Sequence, residues 1–468
     1  MPNLVKLTGP RGQLYADPTP TPDENAFQVD NVSAAYYNSP YYLLHKSQVQ
    51  PIPPRRSGTL PYLSLANFIP GSLINAITSA GKITFHAVGD TGAAKTGPHQ
   101  SPAVSIAQEA AVADAMSADV QTGGVNGPAF FFHLGDVIYN FGEGQYYYDQ
   151  FYEPFRQYDR PIFAIPGNHD GMVFGQSSTA PQVPTLAAFL TNFCGSAPDP
   201  SPDAPTLVRS VMTQPGVYFT LDAPYVSIIG LYSNVMDTGG GIISSQNGHF
   251  PLVNDQLDFL TSELERLKPE RDAGNRAVLI AVHHPPLSVD AKTGGSTGLM
   301  VDIDACCQAA DLWPDAVLSG HAHLYQRFTR MVNNRQVPYI VSGSGGFAAT
   351  PPMQTAPPAG TVIGDHTLEV DPIVKFGYLT LTTDAKTLTM TFKTATRVGP
   401  VLQMDSVTLD LVQGKITSGS RGPSPVPVPT HKPPKPPKPG PKPGPKPAPP
   451  KHPKPKPPKP HGKKRGGG

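Results

Sequence analysis

Five short apolar segments, each followed directly by polar residues, constrain the fold of this chain more than any other feature of its sequence. The segments are ITFHAV, AFFFHL, PIFAI, AVLIAV and DAVLSG, and they lie between residues 83 and 320. Apolar runs of this length predict strands that are buried in a sheet. Segments with helical periodicity, AVSIAQEAAVADAMSADV and LDFLTSELERL, lie between some of them. This alternation predicts an α/β fold in which helices cover the sheets.

Two later segments predict antiparallel pairs of strands. GVYFTLDAPYVSIIGLY and GYLTLTTDAKTLTMTF each contain two apolar stretches that are separated by a turn. Hairpins combined with helix-separated strands indicate mixed sheets, and two such sheets packed together are one arrangement that fits. We predict that the main domain spans residues 81–412.

The segments on either side of this domain differ from it in composition. Residues 1–80 contain PTPTPDEN, YYNSPYYLL and PIPPRR, which predict an irregular Pro/Tyr-rich extension. Residues 419–468 are mostly Pro and Lys, and such a segment has too few apolar side chains to form a core. We predict a disordered basic tail there. It acts either as a solvated spacer or as an electrostatic contact for a polyanion or an acidic surface.

The formal charge of +1 hides two regions of opposite charge. Thirteen of the 36 Lys and Arg residues lie from Arg421 to the end, where there is no Asp or Glu. The rest of the chain therefore carries 23 basic residues against 35 acidic ones, a net charge of about −12. An acidic body is a poor match for nucleic acid.

Cysteine content and the N-terminal sequence bear on the compartment. The three cysteines, Cys194, Cys306 and Cys307, form no disulfide framework. The N-terminal sequence MPNLVKLTGPRGQLYADPTP has no apolar region of the kind that a secretory signal requires. No apolar run is long enough for a membrane span. We therefore expect a cytoplasmic protein, with export as the alternative.

Polar residues follow each of the five apolar segments. They are Asp90 after the first, Asp136 and Tyr139 after the second, Asn168, His169 and Asp170 after the third, His283 and His284 after the fourth, and His321 and His323 after the fifth. One Asp at a strand end often caps a helix, and one His there is often structural. Five such ends with oxygen and nitrogen donors instead indicate a site for Zn, Fe or Mn. The two Gly-Asp pairs supply carboxylates for two neighbouring cations.

A nucleotide-binding loop is the competing interpretation of one segment. GDTGAAKT, residues 89–96, differs from the pattern G-x-x-x-x-G-K-[ST] by Ala94 in place of the second Gly. A side chain at that position hinders the approach of the backbone to phosphate. An ATPase would also leave the three His-bearing strand ends without a role, so we favour the metal site.

The order of these blocks resembles the calcineurin-like metallophosphoesterase superfamily. The matching blocks are Gly89-Asp90, Gly135-Asp136, Gly167-Asn168-His169-Asp170, His283 and Gly320-His321-Ala322-His323. The resemblance covers about residues 80–410. It implies a four-layer αββα sandwich of two mixed sheets flanked by helices, and an enzyme that hydrolyses phosphoesters with metal ions.

One departure from the common pattern points to a branch of that superfamily. Most members have D-x-H in the first block, whereas this chain has Asp90-Thr91-Gly92 together with Tyr139 in G-D-x-x-Y. This combination resembles the purple acid phosphatases, in which a tyrosinate binds a ferric ion. Ile280 stands where that branch prefers Val in V-x-x-H.

The resemblance also implies a role for each site residue. The first metal would be bound by Asp90, Asp136, Tyr139 and His323, and the second by Asp136, Asn168, His283 and His321. The metals implied are Fe(III) with Fe(II), Zn(II) or Mn(II). His169 would donate to a phosphoryl oxygen and Asp170 would orient it. His284 would either protonate the leaving group or form part of a turn.

The predicted function is the hydrolysis of a small phosphoester, most closely like that of a purple acid phosphatase on phosphomonoesters. Two alternatives stay open at this point. One is a phosphodiesterase, including one for cyclic nucleotides, on the same metal centre. The other is a non-catalytic binding protein that acts through the basic tail. Substrate choice would depend on loops such as 171–182 and 236–250.

Overall fold

The protein is described by a computed structural model. Its described residues are 8–9, 12–13, 52–92, 102–139, 142–171, 186–204, 209–233, 243, 254–291, 294–347 and 356–425. Most of the predicted N-terminal extension, almost all of the two predicted substrate loops and the tail beyond residue 425 lie outside them.

The strands are numbered in chain order. Those before residue 231 are β1 (Thr8–Gly9), β2 (Gly12–Gln13), β3 (Tyr62–Ser64), β4 (Lys82–Val88), β5 (Phe131–His133), β6 (Ile162–Ala164), β7 (Phe219–Ala223) and β8 (Val226–Gly230). The later ones are β9 (Ala277–Val282), β10 (Ala316–Ser319), β11 (Tyr325–Val332), β12 (Arg335–Ser342), β13 (Val362–Ile363), β14 (His366–Leu368), β15 (Gly377–Asp384), β16 (Thr387–Thr394), β17 (Leu402–Asp410) and β18 (Lys415–Pro425).

The helices lie between and beside these strands. The α-helices are α1 (Gly71–Ala80), α2 (Pro102–Gly123), α3 (Asn168–Gly171), α4 (Ala187–Phe193), α5 (Asp255–Asp272) and α6 (Thr297–Ala310). A π-helical turn, Tyr148–Tyr152, follows a short 3₁₀ helix at Gly144–Tyr146. Across the described part of the chain, none of the helices combines the length and the apolar character that a bilayer span requires.

Two large mixed sheets carry the architecture. Within the described residues, sheet I has nine strands in the order β13-β14-β11-β12-β10-β9-β8-β7-β3, and sheet II has seven in the order β18-β17-β16-β15-β4-β5-β6. The central strands run parallel, with β9 between β8 and β10 and β5 between β4 and β6. The two predicted hairpins are the antiparallel pairs β7–β8 and β15–β16, so the prediction of mixed sheets is confirmed.

The two sheets pack face to face. Along β9, Leu279 packs in one apolar cluster with Phe85 and Leu381 of sheet II, whereas Val278 packs in another with Leu260 of α5. Alternate side chains on one strand therefore face the opposite sheet and the covering helix. On the far side of sheet II, Asp119 of α2 lies 3.3 Å from the imidazole of His86. This arrangement confirms the predicted layers of helix, sheet, sheet and helix.

Regular elements also lie on either side of residues 81–412. β3 pairs with β7, and α1 follows it, both inside the segment predicted to be irregular. The frequent prolines of this segment end at Pro70, and GSLINAITSA, which follows, has helical periodicity. Gly81 ends the helix in a left-handed conformation with φ 69°. At the other end, β18 continues through Pro425 along the edge of sheet II.

Candidate metal centre

The predicted site residues meet where five strands end. Asp90 follows β4, Asp136 and Tyr139 follow β5, Asn168 begins α3 after β6, His283 follows β9, and His321 and His323 follow β10. Parallel strands deliver their carboxyl ends to the same edge of a sheet. Because the two sheets pack together, both edges contribute to one site.

The predicted ligands of the first metal lie around the Tyr139 hydroxyl, and we call them the first donor cluster: Asp90, Asp136, Tyr139 and His323. The Tyr139 hydroxyl lies 2.9 Å from Asp90 Oδ1, 3.0 Å from Asp136 Oδ2 and 3.4 Å from His323 Nε2. His323 Nε2 is 3.3 Å from Asp90 Oδ1. One phenolic hydrogen cannot fully satisfy two carboxylate oxygens at once, so these atoms suit a shared cation.

The predicted ligands of the second metal form the second donor cluster: Asp136, Asn168, His283 and His321. Asn168 Oδ1 lies 3.1 Å from His283 Nε2 and 3.0 Å from His321 Nδ1. His283 Nε2 lies 3.3 Å from His321 Nδ1 and 3.2 Å from Asp136 Oδ2. The two clusters therefore share one atom, Asp136 Oδ2.

Backbone groups hold each carboxylate by one oxygen and leave the other facing the clusters. The backbone N–H of His321 donates to Asp90 Oδ2 at 2.8 Å. The backbone N–H of His169 donates to Asp136 Oδ1 at 2.8 Å. The remaining oxygens, Asp90 Oδ1 and Asp136 Oδ2, are the ones that contact Tyr139. Each carboxylate is thus oriented by the backbone.

The chemistry of the second cluster fits a cation. His283 Nδ1 contacts the Leu134 carbonyl at 2.9 Å, so it carries a hydrogen and donates it. This leaves Nε2 to face Asp136 Oδ2 and Asn168 Oδ1, which are also electron-pair donors. Burial lowers the pKa of His283, but the Asp136 carboxylate, the Asp90 charge and the hydrogen bond to Leu134 together outweigh burial and raise that pKa to about 9. These groups favour positive charge next to Nε2, which either a proton or a bound cation supplies.

Tyr139 places a stricter demand on the ion in the first cluster. Burial, and then the carboxylates of Asp136 and Asp90, raise the pKa of the Tyr139 phenol well above its ordinary value of 10.0. The phenol can ligate as a phenolate only beside a cation strong enough to overcome both effects. A trivalent ion meets that demand better than a divalent one.

Three of the predicted ligands adopt strained backbone conformations. Asp90, Asp136 and His321 have φ angles of 59°, 53° and 65°. Left-handed conformations are costly for residues other than glycine and persist where the surroundings enforce them. Here the surroundings are the backbone-to-carboxylate bonds that connect neighbouring ligand loops. These hydrogen bonds therefore hold the three residues in position in spite of the conformational cost.

Gly92 gives a steric reason why the D-x-G pattern of Asp90-Thr91-Gly92 occurs together with the G-D-x-x-Y pattern that carries Tyr139. A Cβ atom at Gly92 would lie 2.8 Å from the Ile138 Cα, the Val137 carbonyl oxygen and Gln150 Oε1. The segment that carries Tyr139 therefore occupies the space that a side chain at position 92 would need. A histidine ligand at position 92 and this path of residues 137–138 exclude one another.

His133, which the sequence analysis did not single out, contacts the residues next to two members of the first cluster. Its Nδ1 accepts a hydrogen bond from the Gly135 backbone N–H at 3.2 Å, so its Nε2 donates to the Thr91 hydroxyl at 2.9 Å. Burial and the neighbouring His283 lower the pKa of His133 to about 3, which keeps it neutral. The sequence signal was its position directly before Leu134-Gly135-Asp136.

Asp170 connects two of the ligand loops. Its carboxylate accepts backbone N–H groups from Val137 at 3.1 Å, Ile138 at 3.3 Å and Gly167 at 2.8 Å. Burial, with the nearby charge of Asp136, raises the pKa of Asp170 to about 7. These bonds give Asp170 a structural role, and its predicted orientation of His169 stays a prediction.

His169 lies beside the first cluster. Its ring centroid is 4.4 Å from that of Tyr139, at an interplanar angle of 46°. His284, by contrast, is buried against the second cluster, with its ring centroid 4.4 Å from that of His321. Burial and the charge of His283 lower the pKa of His284 to about 3, and Ser233 contacts both its Nδ1 and its backbone N–H.

A glycine-rich loop after β12, residues 343–347, also reaches the site and was missed in the sequence. Its Phe347 ring stacks on Tyr139 with centroids 3.5 Å apart and an interplanar angle of 3°. The Phe347 backbone N–H donates to the Asp90 carbonyl at 3.1 Å. The signal was the run Gly-Ser-Gly-Gly-Phe at another strand end.

Part of the sequence matches a known protein family. A family model described as calcineurin-like phosphoesterase matches residues 83–325, which is just over half of the 468 residues. No curated protein matches the chain significantly.

Three similar solved structures illustrate the comparison by fold. Purple acid phosphatase PPD1 from yellow lupin (Lupinus luteus) seeds is 15% identical over 70% of this chain and 54% of that one, with a TM-score of 0.47. GAP50, the anchor in the inner membrane complex of Plasmodium, is 13% identical over 73% and 89%, with a TM-score of 0.45. A dimetal phosphatase from Danio rerio is 14% identical over 69% and 98%, with a TM-score of 0.39. The chain thus spans about half the length of the lupin protein.

Proposed function

This chain belongs to the calcineurin-like phosphoesterase family, and from that premise we propose that it hydrolyses phosphomonoesters at a dinuclear metal centre, as purple acid phosphatases do. Membership of this family supports the general reaction, which is metal-dependent hydrolysis of phosphoesters. The preference for monoesters and the identity of the metals are the parts that we propose.

The observation that carries the proposal is the pair of donor clusters that share Asp136 Oδ2. This atom lies 3.0 Å from the Tyr139 hydroxyl of the first cluster and 3.2 Å from His283 Nε2 of the second. Each cluster offers four side chains with oxygen and nitrogen donors. In our proposal each cluster holds one ion and Asp136 contacts both.

Two bound cations would acidify a shared water and neutralise charge on the phosphoryl oxygens. The residues of the chain orient and assist that chemistry. Backbone bonds fix Asp90 and Asp136, so the donors need little rearrangement on binding. His169, whose ring lies at the first cluster, donates to a phosphoryl oxygen as negative charge develops there.

Hydrolysis of a panel of substrates tests the proposal. The full chain, loaded with iron and zinc or manganese, is expected to release nitrophenol from p-nitrophenyl phosphate faster than from bis(p-nitrophenyl) phosphate. Removal of the metals with a chelator should abolish both activities, because the donor clusters alone supply no nucleophile. Faster turnover of the diester or of a cyclic nucleotide would favour a phosphodiesterase. A protein that holds two metals and hydrolyses none of these would favour a binding role.

A second prediction concerns iron and Tyr139. With Fe(III) bound, the wild-type protein is expected to be coloured, because charge transfer from phenolate to ferric ion absorbs visible light. Tyr139→Phe keeps the ring and its stacking on Phe347, with centroids 3.5 Å apart in the wild type, but removes the oxygen. The variant should fold, lose the visible band and release fewer protons when Fe(III) binds, since the Tyr139 pKa lies well above 10.0.

Spectra, iron content and proton release on one preparation decide this prediction. Tyr147→Phe is the matched control, because Tyr147 is also fully buried with a strongly raised pKa but lies outside both donor clusters. It should keep the band. A colourless wild type that holds Fe(III), or a band that survives Tyr139→Phe, would contradict the tyrosinate assignment and leave the dinuclear centre itself standing.

A further inference from the structure

A buried glutamine holds the backbone of the proposed tyrosine ligand from both sides. The Tyr139 backbone N–H donates to Gln150 Oε1 at 2.8 Å, and Gln150 Nε2 donates to the Tyr139 carbonyl at 2.9 Å. Gln150 is fully buried. We propose that Gln150 is a positioning residue for the first metal: it places the Tyr139 phenol where the ion binds. This proposal rests on the proposed function, in which Tyr139 is a ligand.

The local structure around Gln150 serves this contact. Gln150 lies within the π-helical turn Tyr148–Tyr152. Such turns are rare, and their extra residue often re-aims a side chain at a functional site. The amide reaches the space beside Gly92, where a Cβ atom would come within 2.8 Å of Gln150 Oε1. The glycine of D-x-G therefore makes room for both the tyrosine segment and its glutamine.

The backbone contact determines the position of the phenol because the ring is also confined. Phe347 stacks on one side of the Tyr139 ring, and His169 packs at a centroid distance of 4.4 Å. With the ring confined and both backbone polar groups bonded to Gln150, the hydroxyl is directed to Asp90 Oδ1 and Asp136 Oδ2. Loss of the Gln150 amide would allow the segment to shift and would leave two buried backbone groups without that partner.

The same fold supplies two matched controls. Gln214 makes the same pair of bonds to Ala164, with both distances 2.8 Å. Gln256 makes them to Tyr232, at 2.8 and 2.7 Å. Both glutamines are fully buried, but neither Ala164 nor Tyr232 belongs to a donor cluster. Substitution of these residues removes equivalent hydrogen bonds without touching a proposed ligand.

The test compares Gln150→Leu, Gln214→Leu and Gln256→Leu in the full chain, with ferric iron as the probe. Three quantities are measured on each: the thermal midpoint, the affinity for Fe(III) by chelator competition, and the wavelength of the visible band. Gln150→Leu is expected to weaken Fe(III) binding by about 10- to 100-fold, the scale for residues that support metal ligands, and to shift or reduce the band. The two controls should lower the thermal midpoint similarly but keep the affinity and the band.

Gln150→Glu provides a second variant if the leucine variant does not fold. It keeps the length and one acceptor but replaces the Nε2 donor with an oxygen that faces the Tyr139 carbonyl, so it should shift the band in the same way. The proposal is overturned if the Gln150 variants keep the wild-type affinity and band, or lose them no more than the controls do. It is also overturned if wild type binds Fe(III) without a tyrosinate band. Hydrolysis by the wild type is measured separately, so failure of the proposed function is distinguished from failure of this one.

Discussion

Replacing Asp136 with Asn is expected to abolish hydrolysis and to cost the protein both metals. Asp136 Oδ2 is the one atom that belongs to both donor clusters, 3.0 Å from the Tyr139 hydroxyl and 3.2 Å from His283 Nε2. The amide keeps the shape of the side chain but removes the negative charge on which two cations depend. We expect kcat/KM to fall by roughly a thousandfold or more, the scale of losing several kcal/mol of metal-dependent stabilisation.

Asp90→Asn is the matched comparison for this experiment. Asp90 is also buried and also accepts a backbone N–H, but its other oxygen contacts only the first cluster. This variant should lose the first metal and retain the second. Metal content per chain, measured beside the thermal midpoint, separates loss of ligands from loss of fold. An Asp136→Asn protein that holds two metals per chain would rule out the bridging role.

His169→Ala is expected to lower kcat by roughly a hundredfold or more, the scale of losing one transition-state hydrogen-bond donor. Both metals should stay bound, because the contact of His169 with Asp136 Oδ1 uses the backbone N–H, which alanine retains. The loss should fall on kcat more than on KM, since the donor acts where charge develops during the reaction.

Metal content and kinetics must be measured on the same preparation of His169→Ala. His284→Ala serves as the control, because His284 is buried against the second cluster and its lowered pKa of about 3 keeps it neutral, without the extra proton that a leaving group would accept. We expect a smaller effect there. If His169→Ala lost its metals together with its activity, His169 would be a ligand and the assignment would be wrong.

The location of the site could be predicted from the sequence because the residues that form it follow recognisable strands. Apolar runs such as AVLIAV identify buried strands, and parallel strands present their carboxyl ends at one edge. Asp136 and Tyr139 lie only three residues apart after the same strand, so the sequence alone places them on one loop. At the edges of the domain, β3 pairs with β7, which lies far along the chain, whereas β18 pairs with the adjacent strand β17.

The contacts that support the ligand positions could not be predicted in this way. Gln150 reaches Tyr139 through a π-helical turn, and Asp170 bonds the backbone of residues 137 and 138 across a separation of more than thirty positions. Phe347 comes from a loop more than two hundred residues beyond Tyr139. Neither the composition nor the hydrophobic periodicity of a sequence predicts which backbone group will form a hydrogen bond with a given polar side chain.

Hydrophobic periodicity and residue chemistry are local properties, so the strand ends and the types of donor that they carry can be identified without a structure. The fold is needed to see that these donors form two clusters that share Asp136 Oδ2, and that Gly92 leaves room for the tyrosine segment. Those arrangements depend on distances of about 3 Å between segments that are far apart in the chain, where close packing and hydrogen-bond geometry select one solution.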